Sequence, residues 1–131
     1  MAKARIAVIG AGLMGHGIAW RLAAAGHEVT VQDPSAEALG ALAARLGEIC
    51  DLLGAGRAAL KRVSASADLA EAVSGADFVF EAAPEKLELK QALFERLEVH
   101  APPGAILCSN TSAIPISGIS ARTRNRDRVV G

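Results

Sequence analysis

RIAVIGAGLMG, residues 5–15, joins a short apolar run to three closely spaced glycines. The run Arg5–Ile9 contains β-branched residues and no polar alternation, which predicts a strand covered on both faces. A GxGxxG pattern begins at Gly10, and from Leu13 onward apolar residues recur at mostly helical spacing. The stretch therefore predicts a strand, a tight glycine turn and a helix, in that order.

Each glycine of this pattern has a physical task when the turn holds a diphosphate. Gly10 permits the tight turn, Gly12 places no side chain between backbone and diphosphate, and Gly15 lets the helix approach the sheet. The helix N-terminus adds unpaired N–H groups and a partial positive charge. The alternative is a glycine turn that serves packing alone. The predicted cofactor contacts in this motif are Gly10, Ala11, Gly12, Leu13, Met14 and Gly15.

An acidic residue follows the second predicted strand, residues 27–32. It is Asp33, which lies about 20 residues after Gly10, the offset typical of the carboxylate that binds the adenosine ribose. A carboxylate there accepts a hydrogen bond from the 2′-hydroxyl and repels a 2′-phosphate, so it favours NAD over NADP. Its alternative role is a cap for the helix that follows Pro34.

Strands and helices continue to alternate along the rest of the chain. This pattern predicts an α/β fold, a Rossmann-type doubly wound parallel sheet with helices on both faces, in a single domain over residues 1–131. Further strands are expected at 63–66, 78–80, 105–108 and 128–130, and further helices at 35–53, 68–73, 86–99 and, more weakly, 114–120.

Charge and composition exclude several classes of function. Lys and Arg number 14 and Asp and Glu number 14, so the chain has no net field that would attract a polyanion. Neither nucleic acid nor a membrane is an expected partner, and no apolar run reaches the roughly 18 residues of a membrane span. Cys50 and Cys108 lack metal-ligand spacing, which predicts no metal site and a reducing, cytoplasmic location.

Two polar loops follow predicted strands, at residues 81–90 and 109–112. Because the carboxyl ends of parallel strands meet at one edge of the sheet, both loops should face the nucleotide crevice. From composition alone, Glu85 could equally be a helix-start residue, and residues 109–112 could be a turn and cap. The arginines between 122 and 128 are expected to be solvated, with contact to a phosphorylated ligand as the alternative.

Three motifs in the same order resemble the NAD-binding domain of the L-3-hydroxyacyl-CoA dehydrogenases, a family that also includes 3-hydroxybutyryl-CoA dehydrogenases and lambda-crystallin. They are GAGLMGHGIA at 10–19, EAAPEKLELK at 81–90 and SNTS at 109–112, and the resemblance spans nearly the whole chain. It implies oxidation of a 3-hydroxyacyl-CoA to the 3-ketoacyl-CoA with hydride transfer to NAD, in fatty-acid or hydroxybutyryl-CoA metabolism.

The resemblance also implies roles for single residues. Glu85 and Lys90 would contact the nicotinamide half of the cofactor. Ser112 would hydrogen-bond the substrate oxygen that changes between hydroxyl and carbonyl, and Asn110 would shape that loop. A serine hydroxyl can both donate and accept, so it suits either oxidation state. Ser112 and Asn110 are therefore the candidate catalytic residues.

Two departures from the family pattern bear on function. The family's general base, a histidine paired with a glutamate, is expected beyond the position of Gly131, and the helical C-terminal domain that forms the dimer is expected to be absent from this chain. The chain alone should therefore be inactive, and the full-length protein should be a homodimer. The segment between Asp33 and Phe78 is also short, so the substrate could be a small acyl-CoA, a sugar acid or carnitine. A non-catalytic dinucleotide-binding protein is the remaining alternative.

Overall fold

A computed structural model describes residues 3–131 and contains one six-stranded sheet. Its strands are β1 (Arg5–Ile9), β2 (Glu28–Gln32), β3 (Val63–Ser66), β4 (Phe78–Glu81), β5 (Ile106–Ser109) and β6 (Val129–Val130). All neighbouring strands pair in parallel, and their order across the sheet is β3-β2-β1-β4-β5-β6. This is the order of a doubly wound Rossmann sheet, so the predicted fold class is confirmed.

Helices cover both faces of the sheet. They are α1 (Leu13–Ala24), α2 (Ala36–Leu53), α3 (Leu69–Val73), α4 (Leu87–His100) and α5 (Ile116–Ile119). α1 and α2 pack on one face through a core that includes Val31 and Leu46. α3, α4 and α5 pack on the other face through a core that includes Phe94 and Leu107. Because both faces are covered, the central strand β1 is buried and apolar from Ile6 to Ile9.

Local capping explains where α2 begins and ends. The Ser35 hydroxyl accepts a hydrogen bond from the Ala38 N–H at 3.2 Å, and a cap of this kind contributes about 1 kcal/mol. The helix ends at Gly54, whose left-handed φ of 63° suits glycine. The predicted helix at 35–53 is therefore confirmed, with Ser35 as its cap rather than its first residue.

The structure differs from the sequence predictions at three places. A 3-10 helix at Ala58–Arg62, which was not predicted, lies between α2 and β3 and packs on α1. The weak helix expected at 114–120 is reduced to α5, because Pro115 occupies its N-cap and a 3-10 turn follows it. Arg128 is not a solvated side chain. Its guanidinium donates to the carbonyls of Glu98 at 2.9 Å and Pro102 at 2.7 Å, where the C-terminus of α4 leaves acceptors without helical partners.

No helix within residues 3–131 combines the length and the hydropathy that crossing a membrane requires.

Candidate functional site

The glycine turn, residues 10–15, lies at the carboxyl end of β1. Gly10 has a φ of +108°, and a Cβ there would lie 2.7 Å from the Ala82 carbonyl oxygen. A Cβ on Gly15 would lie 1.7 Å from the Gly10 carbonyl oxygen, so the third glycine lets α1 approach the turn itself, rather than only the sheet. A Cβ on Gly12 would meet no described atom within 4 Å. Packing thus requires the outer two glycines, whereas the middle one borders open space.

The N-terminus of α1 opens into the same space. Gly12 is its N-cap, no side chain caps the helix, and its first turn contains no acidic residue. The first-turn N–H groups are therefore available to a negatively charged ligand, and the helix dipole favours one. Leu13 and Met14 are 79% and 57% exposed, so they border the open space without filling it. A diphosphate fits this arrangement of small residues and backbone donors.

Asp33 connects the glycine turn to the start of α2. Its Oδ2 accepts the Ala11 N–H at 2.9 Å, and its Oδ1 accepts the Ser35 N–H at 2.8 Å. The capping side chain of α2 is Ser35, so the alternative role of Asp33 as the helix cap is wrong. Each carboxylate oxygen has a further lone pair, so this half-buried residue can accept a ribose hydroxyl as well.

Sequence reasoning missed a second anchor of the same turn. The Arg45 guanidinium, on α2, donates to the Ala11 carbonyl at 3.2 Å. Ala11 is thus held through its N–H by Asp33 and through its carbonyl by Arg45. An arginine in the middle of an amphipathic helix has no local signature for this contact, since only the packing of α2 beside α1 brings it there.

Backbone hydrogen bonds bring the two other loops to this edge. The acidic loop, residues 82–86, follows β4, and its Ala82 N–H donates to the Ile9 carbonyl at 2.8 Å. The SNTS loop, residues 109–112, follows β5, and its Asn110 N–H donates to the Glu81 carbonyl at 2.8 Å. The crevice where strand order reverses, between β1 and β4, is therefore bordered by the glycine turn and the acidic loop, with the SNTS loop beside them.

A buried ion network of Glu81, Lys90 and Ser109 lies beneath these loops. Glu81 is 0% exposed and Lys90 is 1% exposed. The Lys90 ammonium donates to Glu81 Oε2 at 2.5 Å, and the Ser109 hydroxyl donates to Glu81 Oε1 at 2.5 Å. The Ala83 N–H adds a third hydrogen bond to this carboxylate at 2.7 Å. Sequence reasoning missed Glu81, because a glutamate at the end of an apolar strand gives no sign that it is buried and paired.

The Lys90 ammonium is surrounded by acceptors from its own chain. Besides Glu81, its ammonium contacts Glu85 Oε1 at 3.0 Å and the Ala83 carbonyl at 3.2 Å, which occupies its three donors. Within the chain, Lys90 therefore links the buried Glu81 to the exposed Glu85. The predicted contact of Lys90 with the nicotinamide half stays a prediction.

Glu85 joins the acidic loop to the SNTS loop. Its Oε2 accepts the Thr111 hydroxyl at 2.8 Å. Hydrogen bonds from Lys90, from Thr111 and from the Ser112 backbone hold the pKa of Glu85 below its usual value, so this carboxyl is ionised at neutral pH. α4 begins at Leu87 and has Glu88 in its first turn, so Glu85 is not a helix-start residue. Its side chain is 42% exposed and lies in the acidic loop that borders the crevice.

The two candidate catalytic residues lie on the outer surface of the SNTS loop. Asn110 and Ser112 are both exposed, and Thr111 between them is turned toward Glu85. The Thr111 hydroxyl also accepts the Ile114 N–H at 3.1 Å, so it secures the loop on both sides. The exposed Ser112 thus follows directly on a residue that is fixed at both the acidic loop and Ile114.

Neither cysteine belongs to this site. Cys50 and Cys108 are free thiols, and burial raises the pKa of the Cys108 thiol, which disfavours a reactive thiolate. Across residues 3–131, no group of three or more His, Cys, Asp or Glu side chains is arranged to hold a metal ion.

Comparisons with known proteins agree with this architecture. A 3-hydroxyadipyl-CoA dehydrogenase of Escherichia coli K12 is 41% identical over 96% of this chain and 28% of its own length. An L-carnitine dehydrogenase of Streptomyces coelicolor is 37% identical over 96% of this chain and 41% of its own length. The crystal structure of 3-hydroxybutyryl-CoA dehydrogenase from Escherichia coli K12 superposes with a TM-score of 0.86 at 40% identity, covering 98% of this chain and 29% of that one.

The chain thus spans less than half the length of the curated relatives that it matches. The family model described as "3-hydroxyacyl-CoA dehydrogenase, NAD binding domain" matches residues 5–131. The family description also confirms NAD as the predicted cofactor. The chain therefore belongs to the family of 3-hydroxyacyl-CoA dehydrogenase NAD-binding domains.

Proposed function

We propose that this chain is the cofactor-binding part of an enzyme that oxidises a 3-hydroxyacyl-CoA to the 3-ketoacyl-CoA. The observation that supports this most directly is the meeting of the glycine turn, the acidic loop and the SNTS loop at one edge of the sheet. A dinucleotide placed there lies across the crevice, with its adenosine half toward β2 and its nicotinamide half toward β4 and β5.

The adenosine half is bound by the glycine turn and Asp33. The first-turn N–H groups of α1 donate to the diphosphate, and Gly12 allows the close approach. Asp33 accepts from the ribose and keeps the Ala11 peptide in place. A 2′-phosphate would meet the Asp33 carboxylate, which makes NADP the poorer ligand.

The nicotinamide half is bound beside Glu85, and the substrate oxygen beside Ser112. Bound NAD supplies the hydride acceptor. The Ser112 hydroxyl would hydrogen-bond the substrate oxygen in both the alcohol and the ketone, and Asn110 would shape the loop that carries it. The departing proton requires a general base.

Calorimetric titration of the chain with NADH and NADPH tests the cofactor part of this proposal. We expect NADH to bind more tightly than NADPH. Asp33→Ala should lower the affinity for NADH by about tenfold, because a charged hydrogen-bond acceptor is lost. Glu37→Ala, which removes an exposed carboxylate from the first turn of α2, is the matched control and should leave NADH binding unchanged. Equal binding of NADH and NADPH by the parent chain would refute the role of Asp33.

One observation favours a second candidate, oxidation of a 3-hydroxy acid that is not a CoA ester. The match to the CoA enzyme of Escherichia coli runs over 140 positions, whereas the match to L-carnitine dehydrogenase runs over 130, although each covers 96% of this chain. Within the matched region the CoA enzyme therefore has more inserted positions, and the carnitine enzyme aligns with this chain with fewer insertions. The short connection from α2 to β3 through Ala58–Arg62 is consistent with a site that lacks a CoA-packing helix pair.

Assay of the full-length product of the gene that encodes this chain separates the two candidates. Acetoacetyl-CoA with NADH tests the first, and carnitine with NAD tests the second. If the protein oxidises NADH with none of the 3-ketoacyl-CoA substrates tested, the first candidate is excluded.

We also propose that the full-length protein is a homodimer, that it acts in fatty-acid metabolism and that it is located in the cytoplasm. The location rests on the unpaired Cys50 and Cys108.

A further inference from the structure

The buried ion network contains charges that the proposed function does not use directly. Glu81 and Lys90 are almost completely excluded from water, and together with the exposed Glu85 they place two carboxylates around one ammonium. Desolvation of such charges opposes folding and is offset only when geometry and hydrogen bonding are good. The placement of this network under a site loop therefore points to a role beyond stability.

The network joins three segments that are distant in sequence. Glu81 ends β4, Ser109 ends β5, and Lys90 lies in the first turns of α4. Glu81 accepts from both Lys90 and Ser109 and also from the Ala83 N–H within the acidic loop. Its two oxygens thus secure the ends of two strands and the loop between β4 and α4.

Lys90 connects the buried Glu81 to Glu85. With Glu81 in place, the Lys90 ammonium is held where it also contacts Glu85 Oε1 and the Ala83 carbonyl. Glu85 in turn accepts from Thr111, which lies next to Ser112. A chain of contacts therefore runs from a buried carboxylate to the two loops that border the nicotinamide end of the crevice.

The glycine turn packs against Ala82 of the acidic loop, but none of these side chains is hydrogen-bonded to it. Its anchors are Asp33 and Arg45, which hold Ala11 from the β2 side. We propose that Glu81 is a positioning residue for the nicotinamide half of NAD alone, acting through Lys90 and Glu85. This inference rests on the proposed function, since it assumes that NAD occupies the crevice.

The test compares two ligands that differ in one half. NADH carries the nicotinamide, and ADP-ribose retains the adenosine, diphosphate and ribose without it. We expect Glu81→Gln to lower the affinity for NADH by about tenfold, because an amide binds the Lys90 ammonium less strongly than a carboxylate does. ADP-ribose should bind the variant within about twofold of the parent, since the side chains proposed to hold it, Asp33 and the anchor Arg45, make no hydrogen bond to Glu81. Both affinities are measured by calorimetric titration of the 131-residue chain.

Further variants keep the test decisive if Glu81→Gln folds poorly. Ser109→Ala removes one donor to Glu81 with almost no change in volume, and it should give a smaller loss that is again confined to NADH. Glu81→Gln combined with Lys90→Met removes both buried charges, so it should recover melting temperature without recovering NADH affinity. Glu95→Gln, which changes an exposed carboxylate on α4 that pairs with Arg122, is the matched control.

The outcomes separate this inference from the function beneath it. A parent chain that binds neither ligand refutes the proposed function and the inference with it. If the parent binds both ligands and the variants lose affinity for NADH and ADP-ribose equally, Glu81 has a structural role only and the inference is overturned. Unchanged NADH binding in Glu81→Gln and Ser109→Ala overturns it as well.

Discussion

The two ends of the crevice are built in different ways. The glycine turn is made of backbone: its donors are N–H groups, and its shape depends on missing side chains at Gly10 and Gly15. The acidic loop and the SNTS loop are positioned by side chains, through the buried ion network and the contact between Thr111 and Glu85. The backbone site tolerates no added atom at Gly10 or Gly15, whereas the side-chain site depends on charge balance. The two ends should therefore fail for different physical reasons.

The largest effect is expected at the third glycine. Gly15→Ala places a methyl group 1.7 Å from the Gly10 carbonyl oxygen, so either α1 or the turn must move. We expect a loss of roughly 5 kcal/mol in the free energy of unfolding, above the usual cost of overpacking, because the clash is with backbone rather than with a side chain that can turn away. Urea denaturation followed by circular dichroism measures it.

Gly12→Ala is the matched control within the same turn. Its methyl group enters open space, so the stability should fall by well under about 1 kcal/mol. NADH binding should nevertheless weaken, because the methyl group occupies the space proposed for the diphosphate. A stable Gly12→Ala variant with full NADH affinity would contradict the placement of the diphosphate.

The next effect concerns charge balance at the other end. Lys90→Met leaves the buried Glu81 carboxylate without its ammonium partner, and breaking such a pair costs about 3 to 5 kcal/mol. That penalty assumes that the carboxylate stays buried, so rearrangement toward water would reduce it. The double variant Glu81→Gln with Lys90→Met should be more stable than Lys90→Met alone. If Lys90→Met unfolds at the same urea concentration as the parent, the network contributes little to the free energy of unfolding.

The smallest effect is expected at the exposed Glu85. Hydrogen bonds from Lys90 and Thr111 lower the pKa of this carboxyl from 4.5, so the contact stabilises the folded chain above the unfolded pKa. This contribution is lost as pH falls through the lowered pKa of the folded state. Glu85→Gln should therefore melt slightly below the parent at neutral pH, and the difference should vanish in acid. A difference independent of pH would assign the effect to packing instead.

Local sequence predicted one end of the site better than the other. The glycine spacing after an apolar strand predicted β1, the turn and α1, because a tight turn with a positive φ leaves few residue types allowed. The alternation of strands and helices predicted the succession of these elements along the chain. At most elements the predicted bounds differ from the observed ones by one or two residues. The candidate contacts of the six turn residues, of Asp33 and of Glu85 stay predictions until a ligand is measured.

The parts that sequence reasoning missed depend on contacts between distant residues. Arg45 lies 34 residues from the Ala11 carbonyl that it binds, and Ser109 lies 28 residues from Glu81. A glutamate at a strand end and a lysine in a helix look like ordinary exposed charges in sequence. Only the pairing of β4 with β5 and the packing of α4 against the sheet bury them together.

By itself, the sequence determined the fold class, the glycine turn and its place between β1 and α1, since these follow from hydrophobic periodicity and from residues that lack side chains. Tertiary structure alone decided that Lys90 is buried between two carboxylates and that Glu81, unremarkable in sequence, lies beneath the acidic loop. The physical reason is that backbone conformation is set by neighbouring residues. Burial and charge pairing are set by strands and helices that meet only when the sheet is complete.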